Sequence, residues 1–120
     1  MPHVVLDKIV NFEDIAPKFK PIIQKGKQLI KINHMFVSSQ KHTALFSAVT
    51  IDELHQEYFI EVLTRESKTT ILLFPLTDPQ KTNTVKKSLV LVLEFIKKYH
   101  TSHKITKTNL QDFISDELIA

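Results

Sequence analysis

Residues 84–100 constrain the fold more than any other segment, because apolar side chains recur there at helical spacing and extend beyond a single stripe. A surface helix normally has one apolar stripe. Here Val90, Leu91 and Phe95 add apolar surface, so the helix middle is apolar on most sides. The segment predicts a helix that is covered on two sides or buried in an oligomer. Its core stripe consists of Val85, Leu89, Val92, Leu93, Ile96 and Tyr99, with Leu89, Leu93 and Ile96 expected in the core.

Strand patterns account for much of the chain before this helix. Residues 42–51 alternate and are rich in β-branched and aromatic side chains. Residues 58–63 and 69–76 also have strand character, and the polar segment between them, 64–68, suits a hairpin loop. Residues 2–10 are apolar on both faces, which predicts a strand in the interior of a sheet.

A first helix is predicted over residues 15–30. Pro21 is expected to kink this helix, and Gly26 is expected to allow its close approach to the sheet. After the long helix, a short strand near 104–106 and a short amphipathic helix over 110–118 are predicted. The residues at helical spacing in the first helix are Ile15, Phe19, Ile22, Ile23, Gly26, Leu29 and Ile30.

This order of elements predicts one α/β domain over residues 1–120. Each half of the chain resembles a βαβ unit, in which a helix connects two strands. Right-handed crossovers would place both helices on one face of a single mixed, mostly parallel sheet. An extra strand or hairpin is expected between the two halves, and the short helix is expected at the C-terminus.

Composition excludes several kinds of site. The chain has one glycine and no cysteine, so a glycine-rich phosphate loop, a thiolate metal site and a cysteine nucleophile are excluded. The longest apolar runs, 71–76 and 89–93, are too short to span a bilayer. The N-terminus does not show the pattern of a signal peptide. We therefore expect a cytoplasmic protein without a membrane-spanning segment.

Lysines are concentrated in one part of the chain. No acidic residue lies between Asp14 and Asp52, whereas six lysines do. A basic face attracts nucleic acid or other anionic partners. Arg65 is the only arginine, although phosphate and base readers rely on the planar guanidinium. The pattern predicts a solvated basic face, with nucleic-acid binding as an alternative. The lysines are Lys18, Lys20, Lys25, Lys27, Lys31 and Lys41.

Two further groups of side chains are interpreted as structural. His100 and His103 lie three residues apart near the predicted helix end, where the helix dipole favours histidine, and this role is preferred to metal binding. A set of aromatic residues lies in strand patterns, where core packing is preferred to stacking on RNA bases. This set consists of Phe46, Tyr58, Phe59 and Phe74.

Pro2 is the candidate for chemistry. Removal of Met1 would leave a secondary amine at the head of an apolar strand. An α-amino group has a pKa of about 7.7–8.0, and burial lowers it by disfavouring the charged form. A prolyl amine in this position can be a neutral general base near pH 7.

Two stretches, residues 2–7 (Pro-His-Val-Val-Leu-Asp) and residues 91–100 within the long helix, resemble the tautomerase superfamily, and the 5-carboxymethyl-2-hydroxymuconate isomerase group within it. The resemblance implies a homotrimer and a cofactor-free isomerisation of a small unsaturated keto or enol acid. It also implies that Pro2 is the base. The family holds carboxylates with arginines, one of them in the loop before the second helix, where this chain has Lys81. Lys81 is therefore predicted to assist catalysis, and Lys41 and Arg65 to bind the anionic substrate.

Three functional hypotheses follow. We favour a tautomerase or isomerase that uses Pro2. The second hypothesis is a non-catalytic oligomeric protein of tautomerase-like fold that binds a ligand or a partner. The third is a nucleic-acid-binding protein that uses the lysine-rich face. The first hypothesis requires removal of Met1 and an open pocket at Pro2, whereas the third predicts salt-sensitive binding that does not depend on Pro2.

Overall fold

Seven strands form one antiparallel sheet that curves as a half-barrel around a long helix in a computed structural model, which describes residues 1–119. The order of strands across the sheet is β2-β3-β4-β5-β6-β1-β7. The strands are β1 (His3–Leu6), β2 (Ile22–Lys25), β3 (Leu29–Val37), β4 (Thr43–Ile51), β5 (His55–Arg65), β6 (Lys68–Leu73) and β7 (Ile105–Thr108). The helices are α1 (Phe12–Ile15), α2 (Asn83–Tyr99) and α3 (Asp116–Ile119), and 3-10 turns occur at Ala16–Lys18 and Gln111–Phe113.

The predicted α/β fold, with two βαβ-like units in a mostly parallel sheet, is wrong. Every strand pairing is antiparallel. The physical reason lies in the connections, because β2 to β6 follow one another through short turns. A short turn allows only antiparallel pairing, whereas parallel neighbours need a crossover of a dozen or more residues. Only α2 crosses the sheet as a long helix, so there is no second helix of that kind within residues 1–119.

The helix predicted over residues 15–30 is also wrong, and strands β2 and β3 occupy much of that segment. Ile22 pairs with Ile32 across the β2–β3 hairpin. Pro17 and Pro21 limit the helical part, because proline disrupts a helix interior. Gly26 lies in the exposed hairpin turn, where an added Cβ would meet only a backbone oxygen at 4.0 Å, so it does not pack against the sheet as expected.

The long helix is confirmed, and it fills the concave side of the sheet. Leu89, Leu93 and Ile96 are fully buried, as predicted. The helix begins where the Thr82 hydroxyl accepts a hydrogen bond from the Val85 amide at 3.2 Å, which satisfies one of the free amides of the first turn. None of the helices within residues 1–119 combines the length and apolar character that crossing a membrane requires.

A β-bulge in β3 keeps its apolar residues on the inner face of the sheet. Ile32 pairs with Ala48 and His34 pairs with Ser47, so Asn33 is an additional residue between the two pairs. In a strand, successive side chains point to opposite faces, and one extra residue reverses the alternation. Inner-face residues therefore change from even to odd positions along β3. They are Ile30 and Ile32 before the bulge and Met35 and Val37 after it.

Candidate binding groove

Pro2 lies at the start of β1 and is buried. The backbone around it is held by Asn109, whose Oδ1 accepts from the His3 amide at 3.0 Å and whose Nδ2 donates to the Met1 carbonyl oxygen at 2.8 Å. The His3 ring is also hydrogen-bonded to the Met1 carbonyl oxygen. In this arrangement Met1 contributes to the local structure, and the Pro2 nitrogen is part of the peptide bond with Met1.

The three predicted cationic site residues lie in three other places. Lys81 precedes α2 and its Nζ is 2.6 Å from Asp78 Oδ1. This contact lowers the pKa of the Asp78 carboxyl below its usual value. Lys41 lies in the β3–β4 turn with φ of 62° and pairs with Glu13 at 2.6 Å. Arg65 is exposed at the end of β5. No hydrogen bond or ion pair among residues 1–119 joins any two of Pro2, Lys81, Lys41 and Arg65.

A different set of residues lines a concave surface that runs between strand β2 and helix α2. Two adjoining cavities of about 440 and 360 Å³ share Leu91 and Glu94 as lining residues. We call the combined surface the basic groove. Its floor is apolar and includes Ile22, Ile30, Val90, Leu91, Phe95, Tyr99 and Phe113.

Lysines dominate the rim of the basic groove. Six lysines line it, against two acidic residues, Glu94 and Asp112. Lys18 lies 3.7 Å from Asp14. The other five have no carboxylate within 4.0 Å among residues 1–119, so the rim carries uncompensated positive charge. The six are Lys18, Lys20, Lys25, Lys27, Lys87 and Lys98.

An aromatic cluster supports the floor of the basic groove. Phe95, on α2, contacts Phe19 edge-on with ring centroids 5.4 Å apart and Tyr99 at 5.6 Å. Phe19 in turn contacts the core residue Phe46 at 5.6 Å. Two lysines also lie over the Tyr99 ring, with Lys18 Nζ at 4.9 Å from its centroid. The aromatic rings therefore connect the groove rigidly to the core.

Strand β2 forms one edge of the sheet beside the groove. Within the described residues, 1–119, its only strand partner is β3. The opposite edge of β2 therefore has backbone groups that are not paired within the sheet. An unpaired edge can accept a further strand from another chain. Three of the four residues of β2, Ile23, Gln24 and Lys25, are exposed.

Glu94 is the acidic residue that lines both cavities. It lies among apolar side chains of α2, and this partial burial raises the pKa of its carboxyl above the usual value. Burial acts in this direction because it disfavours the charged form.

The two histidines at the end of α2 have structural contacts, as interpreted from the sequence. His100 Nε2 accepts from the Asn11 amide at 3.3 Å. His103 is buried and donates through Nε2 to the Ile9 carbonyl oxygen at 2.6 Å, while its own carbonyl oxygen accepts from the buried Lys97 ammonium. No group of three or more histidine, cysteine or carboxylate side chains suited to a metal ion occurs in the described part of the chain.

No protein-family model, curated protein or solved structure matches this chain. The groove was only partly visible in the sequence. The acid-free segment indicated a basic face, but it includes Lys31 on the outer face of the sheet and Lys41 in an ion pair. Lys87 and Lys98 join the groove from α2. The apolar surface of α2 outside its core stripe was the sequence signal that could have located the groove.

Proposed function

We propose that this protein is a non-catalytic interaction module that binds an acidic, extended segment of a partner protein in the basic groove. The observation that carries the proposal is the combination of a lysine rim, an apolar floor and an unpaired sheet edge at one place. Each feature recognises a different part of the same ligand: its carboxylates, its apolar side chains and its backbone.

Charge complementarity favours an anionic partner. Five rim lysines lack a carboxylate within 4.0 Å among residues 1–119, so acidic side chains of a partner would gain ion pairs without breaking any within the chain. Such charges mainly accelerate association and select the partner. The floor residues Leu91 and Phe95 are only partly buried and supply apolar area that a purely electrostatic ligand would not use.

The edge of β2 favours an extended partner segment. A segment that pairs with β2 would add an eighth strand and run along the groove between β2 and α2. Main-chain hydrogen bonds then contribute affinity, and alternate side chains select the sequence. A segment of alternating acidic and apolar residues fits both the rim and the floor.

The nucleic-acid hypothesis uses the same lysines but not the same floor. The base-stacking candidates Phe46 and Tyr58 are buried in the core. The floor aromatics Phe95 and Tyr99 contact each other edge-on at 72°, rather than presenting parallel faces. Nucleic acid is therefore the second candidate, to be separated from the peptide by competition.

The tautomerase hypothesis and the homotrimer stay predictions from the sequence. The enzyme hypothesis requires that the buried Pro2 lose Met1 and become accessible to a substrate. Turnover of phenylenolpyruvate that is lost in Pro2→Ala would support it. Sedimentation equilibrium of the full chain would determine whether a trimer forms.

The proposal is tested with a fluorescein-labelled peptide that alternates glutamate with leucine, measured by fluorescence anisotropy. We expect saturable binding that weakens with added salt, since salt screens exposed charges. The variant Lys20→Glu/Lys98→Glu should raise the Kd about tenfold or more. The matched control is Lys68→Glu/Lys107→Glu, which makes the same charge change on exposed lysines outside the groove and should change the Kd much less.

Peptides with N-methyl groups on alternate amides test the strand pairing. Methylation of the amides that face β2 should abolish binding, whereas methylation of the other set should not, because only every second amide points to a neighbouring strand. Equal loss in the groove and control variants would contradict the proposal. Displacement of the peptide by a single-stranded oligonucleotide at lower concentration would favour nucleic acid.

A further inference from the structure

The outer face of the sheet, opposite α2, has a small cavity over interior strands. It has a volume of about 240 Å³ and is lined by residues of β3, β4 and β5 and of the segments that follow β3 and β6. The pairing places Phe36, Leu45 and Glu61 in one row across β3, β4 and β5. Drug-sized ligands occupy cavities of roughly 300–1,000 Å³. This cavity therefore suits a small group.

Aromatic rings form the walls of this outer cavity. Phe36 is 53% exposed, which is unusual for phenylalanine on a strand. Phe59 contacts Phe36 and Phe74 with centroid distances of 6.5 Å in both cases. Phe36 and Phe74 line the cavity, and Phe59 supports both rings. His34 stacks on one face of Phe36 with ring centroids 5.9 Å apart, so a ligand would meet the other face of that ring.

Among the described residues, Glu61 is the only charged side chain that lines the outer cavity. No lysine, arginine or histidine of residues 1–119 forms an ion pair with it. Its neighbours across the sheet are Leu45 and Leu72. These apolar surroundings raise the pKa of the Glu61 carboxyl, because burial disfavours the ionised form. A cation placed beside Glu61 would lower this pKa again, because a nearby positive charge favours the ionised carboxylate.

We propose that the outer cavity binds the quaternary ammonium group of a small organic cation, with Glu61 supplying the negative charge and Phe36 and Phe74 the ring contacts. A cation held against aromatic rings is attracted by their quadrupoles, and quaternary ammonium groups are commonly recognised in this way. This site is separate from the basic groove and does not depend on the proposed function.

The hydrogen-bonding groups of the cavity select against other cations. A primary ammonium group donates three hydrogen bonds. Besides Glu61, the cavity offers the hydroxyls of Ser38 and Thr43, which already contact each other at 3.4 Å. A hard metal ion prefers six or more oxygen ligands, and one carboxylate does not meet that need. A quaternary ammonium group needs no hydrogen-bond acceptors, so it fits the available set best.

The position of the cavity favours a small molecule over a peptide or a membrane lipid. It lies over β3 to β6, each of which has a strand partner on both sides. A peptide would therefore find no free backbone to pair with there. The expected ligand of the outer cavity is a free compound such as choline, in which the trimethylammonium group makes most of the contacts.

Choline is the probe, and amide chemical shifts of the full-length protein in an NMR titration are the measurement. We expect saturable shifts at Glu61, Phe36 and Phe74, with a Kd of about 1 mM. The matched neutral compound, 3,3-dimethyl-1-butanol, has the same shape without the charge and should bind about tenfold more weakly. Stronger or equal binding of the neutral compound would overturn the proposal.

Three variants complete the test. Glu61→Gln should raise the Kd for choline about tenfold, and Phe36→Leu should raise it about fivefold. Glu57→Gln changes a carboxylate on the same strand and face and should leave the Kd unchanged; thermal unfolding would verify that all three fold. An unchanged Kd in Glu61→Gln would overturn the proposal. Sedimentation with phosphatidylcholine vesicles, without any response to free choline, would overturn it in favour of a lipid headgroup.

Discussion

The inner and outer faces of the sheet follow the same alternation along each strand but carry different kinds of side chain. The inner face is closed by α2, and residues such as Phe46, Ile60 and Ile71 are fully buried there. The outer face also has apolar residues, but it leaves Phe36 exposed and places Glu61 among them, without an ion pair to any of residues 1–119. Apolar residues on the inner face therefore maintain the fold, whereas apolar residues on the outer face are available for binding.

The largest expected effect is on the inner side. Leu93→Ala should reduce the free energy of unfolding by about 2–5 kcal/mol, because it removes a fully buried side chain and leaves a cavity. Leu72→Ala, on the partly covered outer face, should cost distinctly less. Urea unfolding of both variants measures the difference. Equal losses in the free energy of unfolding would contradict the different roles of the two faces.

A polar pair within the inner face provides the second prediction. The Tyr58 hydroxyl is hydrogen-bonded to Ser88 of α2, and burial raises the pKa of Tyr58 to about 12. The unfolded chain would ionise near pH 10, so the unfolded state loses its proton first. Stability should therefore be full below pH 10 and fall between pH 10 and 12 by about 1.4 kcal/mol per unit. Tyr58→Phe should remove much of this slope, measured by urea unfolding at each pH.

The third prediction concerns acid conditions at the end of α2. Partial burial lowers the pKa of His100 below 6.5, with a further contribution from the nearby His103. The unfolded state then binds a proton before the folded state does, so stability is full above pH 6.5 and decreases as pH falls below that value. The slope should be smaller in His100→Gln. Thermal unfolding from pH 7.5 to 5 would show it, and identical profiles would contradict it.

The smallest effect is expected on the outer face. Glu61→Gln should leave the free energy of unfolding within about 0.5 kcal/mol, as surface changes usually do. The sign should be stabilising at pH 7, because the raised pKa means that the folded state disfavours the ionised carboxylate. The advantage should disappear at pH 4. A marked loss of stability at pH 7 would show that Glu61 maintains the fold.

The central hairpins could be predicted from the sequence because their alternation is unambiguous. The polar loop before Lys68 is the β5–β6 turn, where Glu66 and Ser67 adopt φ of 52° and 69°. The same method failed for residues 15–30, where apolar pairs such as Ile22–Ile23 and Leu29–Ile30 fit helical spacing as well as strand spacing. Placing a helix there made a crossover necessary, and this single error produced the parallel sheet.

The candidate site depends on long-range packing that no local pattern contains. The N-terminal proline was conspicuous in the sequence, but burial and the contacts of Asn109 could not be inferred from it. The acid-free segment correctly indicated positive charge. Which lysines share one surface depends on how β2 lies beside α2, and that is determined by the pairing of the sheet. The exposure of Phe36 was not predicted, because it depends on the bulge at Asn33.

The bulge in β3 determines which face of the sheet each later residue of the strand occupies. If β3 paired with β4 without the bulge, Asn33 would lie opposite Ser47 and every later position would turn over, so that His34 and Phe36 would point at α2 and Met35 would point to solvent. The aromatic wall of the outer cavity would be lost in the same step as the inner packing. By staying outside the strand pairing, Asn33 therefore assigns both faces of β3 beyond Ile32 at once.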